Sequence, residues 1–527
     1  MNEVRAVRAL IRSGGRTPMS WSDRYVALFG LAMAVAVLAQ PVASVVAAMA
    51  GQADPSRLGA GVALIALAYA GLLALARTLG PVALPAADAA WLLLSPLPRR
   101  TVLGRSAVIL PAISSLAGVG LGLALLAVLG APDQFTPRLV TAVLLGVSAA
   151  VGGMAAAVLA QASPQWDSWL QGALVVLVIV AALAAVLGSG PGRHLLVAVA
   201  DAPVSLGAAS AALCGTVTAL LVRRAWAALG RVHARTVLAA STRAGRVAAA
   251  TVALELGALT WIAEDGHWRG RTLRSRPWPA PLSGSLSGPM PRLPRPLSAP
   301  LALAWQDWRR LGRRPGRLAA LLAATALPAL AAQAAGGLSP VAMILVAGGA
   351  LTAAVACTTG ARRDEEDPSL ARLFGVGARA ALTARALLPM LLSAAWLTLA
   401  LAGLTAMGAL PAGPWWLFGP LSAPALAAGA LRMARRGFVD HSMPVIDTPG
   451  GAIPVGPLVW AMTGVDIAAL GCAPALLAPA VGPTALGALV AAQALSGVAV
   501  LTAFLLRARR AAADPARLGY VTPIDLG

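Results

Sequence analysis

An ionisable side chain inside an apolar segment is expensive to keep in hydrocarbon, so it marks a functional position by default. One such residue stands out, Asp466 in WAMTGVDIAALG, within the apolar run 456–480. It is the candidate polar residue of a translocation path. The alternative is a buried acid bonded to a neighbouring helix, as expected also of Gln171, Gln333 and Gln493. A proton- or sodium-coupled carrier needs several ionisable groups at mid-membrane, so one aspartate argues against ion coupling. The only dense acidic cluster, Asp364 to Asp367 in ARRDEEDPSLAR (361–372), reads as a solvated loop or a helix start with acids in its first turn. A protein-docking surface is its functional alternative.

Other chemistry is sparse. The four histidines (His194, His233, His267 and His441) are scattered over loops, and Cys214, Cys357 and Cys472 lie far apart in apolar stretches. Neither set has the spacing of a metal site or a disulfide framework. All 41 basic residues are arginine, so a P-loop, which needs a lysine, cannot occur. No HExxH and no GxSxG is found, and no paired Asp/Glu cluster is expected in a common cavity. The expectation is a chain that is not an enzyme, with no catalytic residue, no metal and no cofactor.

These residues sit in a very apolar frame. Of 527 residues, 58% are hydrophobic and 12% charged, and the mean hydropathy is +0.78. A soluble domain carries about 25% charged residues; here lipid removes the need for them. Crossing the hydrocarbon takes about 20 apolar residues. The expected spans are 25–50, 58–76, 106–130, 139–160, 169–189 and 204–222, then 318–335, 339–360, 386–410, 415–433, 456–480 and 484–506. The run at 25–50 is too long for a signal-peptide core. The fold class is therefore an all-α polytopic membrane protein of about 12 transmembrane helices in two six-helix halves.

Arginine placement orients them. With the N-terminus inside, outward loops hold only Arg57, Arg138 and Arg193 of the 41 arginines. The positive-inside rule then places both termini in the cytoplasm. Arginines at the ends of apolar runs also argue against nucleic-acid binding. The stretch 247–263 is expected to be a cytoplasmic amphipathic helix, because a span there would put Arg269 to Arg276 outside. A Pro/Gly/Ser-dense strip within 223–300 divides the halves, 1–222 and 301–527, as a linker.

The halves resemble a diverged repeat. Each opens with a basic amphipathic segment, at 7–26 and 301–318. In the second, Leu301, Trp305, Trp308 and Leu311 are expected to form an apolar stripe, beside arginines that reach phosphate head groups. Each half then re-enters the membrane through a strip, at 91–111 and 370–389, where Arg100 and Arg105 match Arg379 and Arg385.

The strip ADAAWLLLSPLPRRTVLGRS (87–106) resembles that of permease subunits of ABC type-2 exporters through Ser95, Pro96, Arg99, Arg100, Leu103 and Arg105. The chain is also similar to actinobacterial membrane proteins of a family of unknown function. The resemblance implies a permease in a bacterial cell membrane, driven by a separate ABC ATPase subunit, with a homodimer as one assembly. The implied ATPase-docking residues are Arg12, Arg16, Arg99, Arg100, Arg105, Trp305, Asp307, Arg309, Arg310, Arg379 and Arg385. Two fused six-span units depart from that family's pattern. The alternatives are an ion-coupled secondary transporter, or a scaffold or accessory protein that does not transport.

Overall fold

The computed structural model describes residues 51–84, 98–190, 192–252, 295–313, 315–367, 376–437, 443–448, 451–481 and 485–512, with Ala89 and Val439. Among them the chain is helical, apart from an antiparallel hairpin of β1 (Val445–Thr448) and β2 (Gly451–Pro454). Eight helices are long and apolar enough to cross a membrane, and a ninth span arises if one bent pair counts as one. The chain is a membrane protein.

In the first half, α1 (Pro55–Leu79), α2 (Arg99–Leu129), α3 (Phe135–Ala162), α4 (Pro164–Ser189) and α6 (Val204–Ala228) span, with short α5 (Arg193–Ala200) between the last two. Asp54 starts α1 by accepting from the Ser56 amide at 2.9 Å, Pro55 sets its first turn, and Gly80 at φ +80° ends it. Lipid provides no hydrophobic drive between helices, so close packing of small residues holds them. Gly118 and Gly122 of α2 lie against Gly146 and Val143 of α3, and Gly59 of α1 lies against Gly188 of α4, where a Cβ would collide with backbone. Leu116, Val186 and Leu213 face outward as the apolar coat.

The second half carries α8 (Arg295–Gly312), α9 (Pro315–Ala324), α10 (Leu327–Ala335), α11 (Pro340–Val355), α12 (Thr359–Glu366), α13 (Ala378–Ala406) and α14 (Phe418–Ala434). It closes with α15 (Val455–Met462), α16 (Val465–Gly471), α17 (Ala473–Leu477) and α18 (Leu486–Ala512). Helix α14 is the hub, buried over most of its length between α13, α11, α16 and α18. The connecting α7 (Ala234–Val252) precedes residues 253–294, which lie outside the described ones.

The expected twelve spans map onto these helices unevenly. The run 25–50 lies outside the described residues. Segment 318–335 is α9 and α10, which together pass as one span, Gly316–Ala335. Segment 339–360 is bent by 54° between α11 and α12. Segment 415–433 yields α14, only 17 residues long. Segment 456–480 breaks into α15, α16 and α17. The reason is local. Gly464, at φ +99°, turns the chain after α15, and a second turn falls at Cys472 before Pro474. Gln493 of α18 repairs the second break, donating to Gly471 O at 2.8 Å and accepting from the Ala475 amide at 3.1 Å.

The two ends of the bundle differ. At one end Gln52 bridges Gly130, Arg138 donates to Ala200 O at 3.0 Å, and Gln333 of α10 donates to Ser56 O at 3.3 Å, which joins the halves. At the other, Arg77 of α1 grips Asp167 of α4 at 2.6 and 2.9 Å, and Gln161 clasps both backbone groups of Val82. The stretch 247–263 is described only to Val252, as the end of α7, which is tied to this second end by Ser241 accepting from the Leu84 amide and by Arg243 donating to Thr78 O.

At Gly464 a Cβ would meet the Gly429 carbonyl and the Met433 amide. Gly464→Ala is expected to destabilise the fold by at least about 1–2 kcal/mol, the cost of a left-handed backbone alone. The check is a lower unfolding midpoint in detergent than for Gly437→Ala, whose Cβ would meet nothing.

Candidate functional site

Helix α8 is amphipathic, and its spacing decides which side chains go where. Leu303, Asp307 and Leu311, four residues apart, share one face and are buried. Leu303 packs with Val376, Ala381 and Ala384, and Leu311 with Ala356, Cys357 and Leu388. Leu301, Trp305 and Trp308 fall on another face, where Leu301 and Trp308 are exposed. The expected apolar stripe is therefore three residues long, because Leu311 turns inward, ten residues and 280° round from Leu301 at 100° per residue.

Asp307 is an acid on the buried face because a partner waits there. Arg385, in the second turn of α13, donates from Nη1 to Asp307 Oδ1 at 2.7 Å and to Leu303 O at 3.4 Å. Its Nε and Nη2 fork onto both oxygens of Asp364 in α12, at 2.8 and 3.0 Å. One guanidinium thus ties three helices, and its fixed fork fits a carboxylate as an ammonium would not. Arg385 and Asp307 are each 4% exposed. Gly360 makes room, since a Cβ there would strike both groups. Asp307 Oδ2 is buried without a hydrogen-bond partner, and Arg310 Nη1 stands 3.8 Å from Oδ1. Burial pushes the Asp307 carboxyl above the ordinary carboxylate range, against the opposing pull of Arg385 and Arg310.

The acidic cluster is neither a loop nor a helix start. It closes α12, and its acids meet arginines one by one: Asp364 with Arg385, Glu365 with Arg435 at 2.6 Å, and Glu366 with Arg362 at 2.8 Å. The first two pairs bind α12 to α13 and to the C-terminal cap of α14, and the third lies within α12. No sequence signal marked Arg435–Glu365 or Arg77–Asp167, because their partners lie 70 and 90 residues apart.

The remaining expected docking residues are dispersed. Arg99 donates to Val232 O at 2.8 Å and Arg100 to Ala227 O at 2.9 Å, so both fasten α2 to the carbonyl end of α6 and its connector. Arg105 lies within α2 and Arg379, half-buried, in the first turn of α13. Trp305 is half-buried with its indole N–H buried and unpartnered; Arg309 and Arg310 are half-buried on α8. Arg12 and Arg16 lie outside the described residues.

Asp466 lies at the break, in the first turn of α16. Its Oδ1 accepts from the Gly464 and Ile467 amides, both at 2.8 Å, and its Oδ2 from Arg432 at 2.9 Å. It is half-exposed, paired and engaged in ending a turn. A cavity of about 260 Å3 lies elsewhere, between α11, α13, α14 and α16–α17, and Asp466 is not among its lining residues. Gln171, Gln333 and Gln493 all bond across helices.

A family model described as a family of unknown function, DUF6297, matches residues 53–444, more than half of the chain. The chain belongs to the DUF6297 family. That match runs from α1 through α14 and so includes α8, the acidic helix and Arg385. No curated protein and no solved structure matches the chain.

Arg385→Ala strands two buried or half-buried carboxylates and is expected to cost about 3–5 kcal/mol. Asp307→Asn keeps the Arg385–Asp364 fork and an acceptor for Nη1, and relieves a buried charge, so it is expected to cost less than about 1 kcal/mol. Unfolding midpoints of the two variants in one detergent check the order. Asp466→Ala removes two hydrogen bonds from backbone amides and the pair with Arg432, and is expected to cost about 1–2 kcal/mol, whereas Asp466→Asn is expected to keep most of that stability.

Proposed function

We propose that this chain is the membrane-spanning permease subunit of an ABC-type exporter in a bacterial cell membrane, driven by an ATPase on a separate polypeptide. In this reading twelve spans place both termini in the cytoplasm. They are the eight long helices, the bent pair, the short hub α14, the broken segment 455–480 and the apolar run 25–50. The grouping of Arg57 and Arg138 at the end where α10 meets α1 supports it.

The observation that carries the reading is the clamp on α8. An amphipathic helix outside the spans is locked by Arg385 to the start of a 29-residue spanning helix, with Leu301, Trp308 and Arg313 on its exposed side. A partner that moves α8 then moves α13, since sliding one past the other would strand buried charges. Force applied there reaches Leu401, sixteen residues and about 24 Å further along the same continuous helix, past Pro389. The absence of lysine from the chain supports an energy source on another polypeptide. The engagement of Asp466 as a cap and ion pair gives no support to ion coupling.

Purification of the tagged full chain in mild detergent from its native host is expected to retain an ATPase polypeptide in fixed stoichiometry. Trp308→Glu combined with Arg313→Glu is expected to reduce that recovery at least fivefold with an unchanged unfolding midpoint, and Trp308→Phe to preserve it. Nucleotide hydrolysis by the chain alone, or equal recovery of ATPase with the double variant, overturns the reading.

A further inference from the structure

We infer that the cavity of the second half is a binding site for one acyl chain of a bilayer lipid, with the lipid's ester carbonyl held by Ser422. The site does not depend on the permease reading and would stand if the chain transported nothing.

Three observations carry it. The first is composition. The walls come from Leu401, Leu404, Trp415, Phe418, Leu426 and Ala468 among others, and they are almost wholly apolar. An apolar cavity of about 150 Å3 already stays dry and takes in benzene-sized molecules. This one is about 260 Å3, and water would find too few partners in it. Its natural occupant is hydrocarbon.

The second is the mouth. Helices α11 and α16 each pack on α14, and the cavity fills the gap between them. At its rim Ala347 and Gly348 of α11 and Ala469 and Leu476 of α16–α17 are exposed, on the apolar outer surface of the bundle. These exposed residues open the site sideways, where lipid chains lie, while Leu338, Leu410, Trp415 and Pro479 line it at the loop end of the bundle.

The third is a lone hydroxyl. Ser422, one turn into α14, lines the cavity; it is fully buried, its Oγ makes no hydrogen bond of normal geometry, and the polar group beside it is the Cys472 thiol, a weak acceptor that itself turns to the Ser422 carbonyl at 4.0 Å. Serine in a membrane helix usually bonds a carbonyl of the preceding turn, as Ser114 and Ser393 do here at 2.7 Å. An unsatisfied buried hydroxyl is costly, and an ester carbonyl supplies the missing acceptor. From Ser422 the chain would run along α14 past Leu426 to Ala468. That direction follows the spanning helices, as a lipid chain does.

The test is photo-crosslinking of the full chain in phosphatidylcholine vesicles doped with phosphatidylcholine that bears a diazirine at its chain end. Adducts mapped by mass spectrometry are expected on Leu426 and Ala468, at least fivefold above those on Leu58 and Leu103, which are also buried but do not line this cavity. Ala468→Phe, or Ala347→Phe at the rim should the first fail to fold, is expected to reduce the Leu426 adduct at least fivefold. Adducts on outward-facing Val186 and Leu213 should be unchanged in both. Ser422→Ala is expected to weaken the Leu426 adduct at least twofold. Labelling of Leu426 no stronger than that of Leu58 overturns the inference. So does a protein–protein product across the mouth, which would mean that a second copy covers it.

Discussion

The second half of this protein is organised around one buried guanidinium. Arg385 brings a positive charge into a place that excludes water, and such a charge persists only with carboxylates fixed around it. Asp364 and Asp307 provide them from two other helices, and Gly360 is small so that both can approach. The consequence is mechanical as well as electrostatic. Helix α8, which has no hydrophobic stretch of spanning length, is held on α13 by a contact that cannot slip by a residue without leaving a charge bare. A helix held only by Leu303 and Leu311 would have no such register.

The same constraint, that no polar group be left bare away from water, explains how the irregular parts of the bundle survive. A break in a spanning helix exposes amides and carbonyls that lipid cannot satisfy. Here Asp466 takes up the Gly464 and Ile467 amides, and Gln493 takes up the Gly471 carbonyl and the Ala475 amide. Gln161 does the same for Val82 at the loop after α1. Each of these polar residues looks costly in its own segment and becomes structural once its neighbour is known. Ser422 is the exception, a buried hydroxyl beside no stronger acceptor than the Cys472 thiol, and it lies on the wall of the cavity between α11, α13, α14 and α16–α17.

Much of the fold could be read in the chain itself, for a plain reason. Hydrocarbon imposes a length and an apolar composition on any helix that crosses it, and both are properties of consecutive residues. The long spans of the first half lie where the apolar runs lie, within a few residues. Sequence pattern and structure part where a run is interrupted: 415–433 is a short buried hub, 339–360 a bent pair, and 456–480 three pieces. Glycine and proline signal that a helix is disturbed there. They do not say by how much, because the cost of a break depends on which side chains arrive to repair it.

Sequence alone determined that this chain lives in lipid, roughly where it crosses, which segments are amphipathic, and that it carries no lysine for a nucleotide loop. Those conclusions follow from composition and period, which are local. The tertiary structure alone decided the fate of the ionisable residues. Asp307 and Arg385, 78 positions apart, looked like surface for a partner and proved to be one buried contact. Asp466, read in the sequence as a group on a path, is held by the Gly464 and Ile467 amides and by Arg432. A charge in a membrane protein is defined by what stands opposite it, and only folding brings the opposite side near.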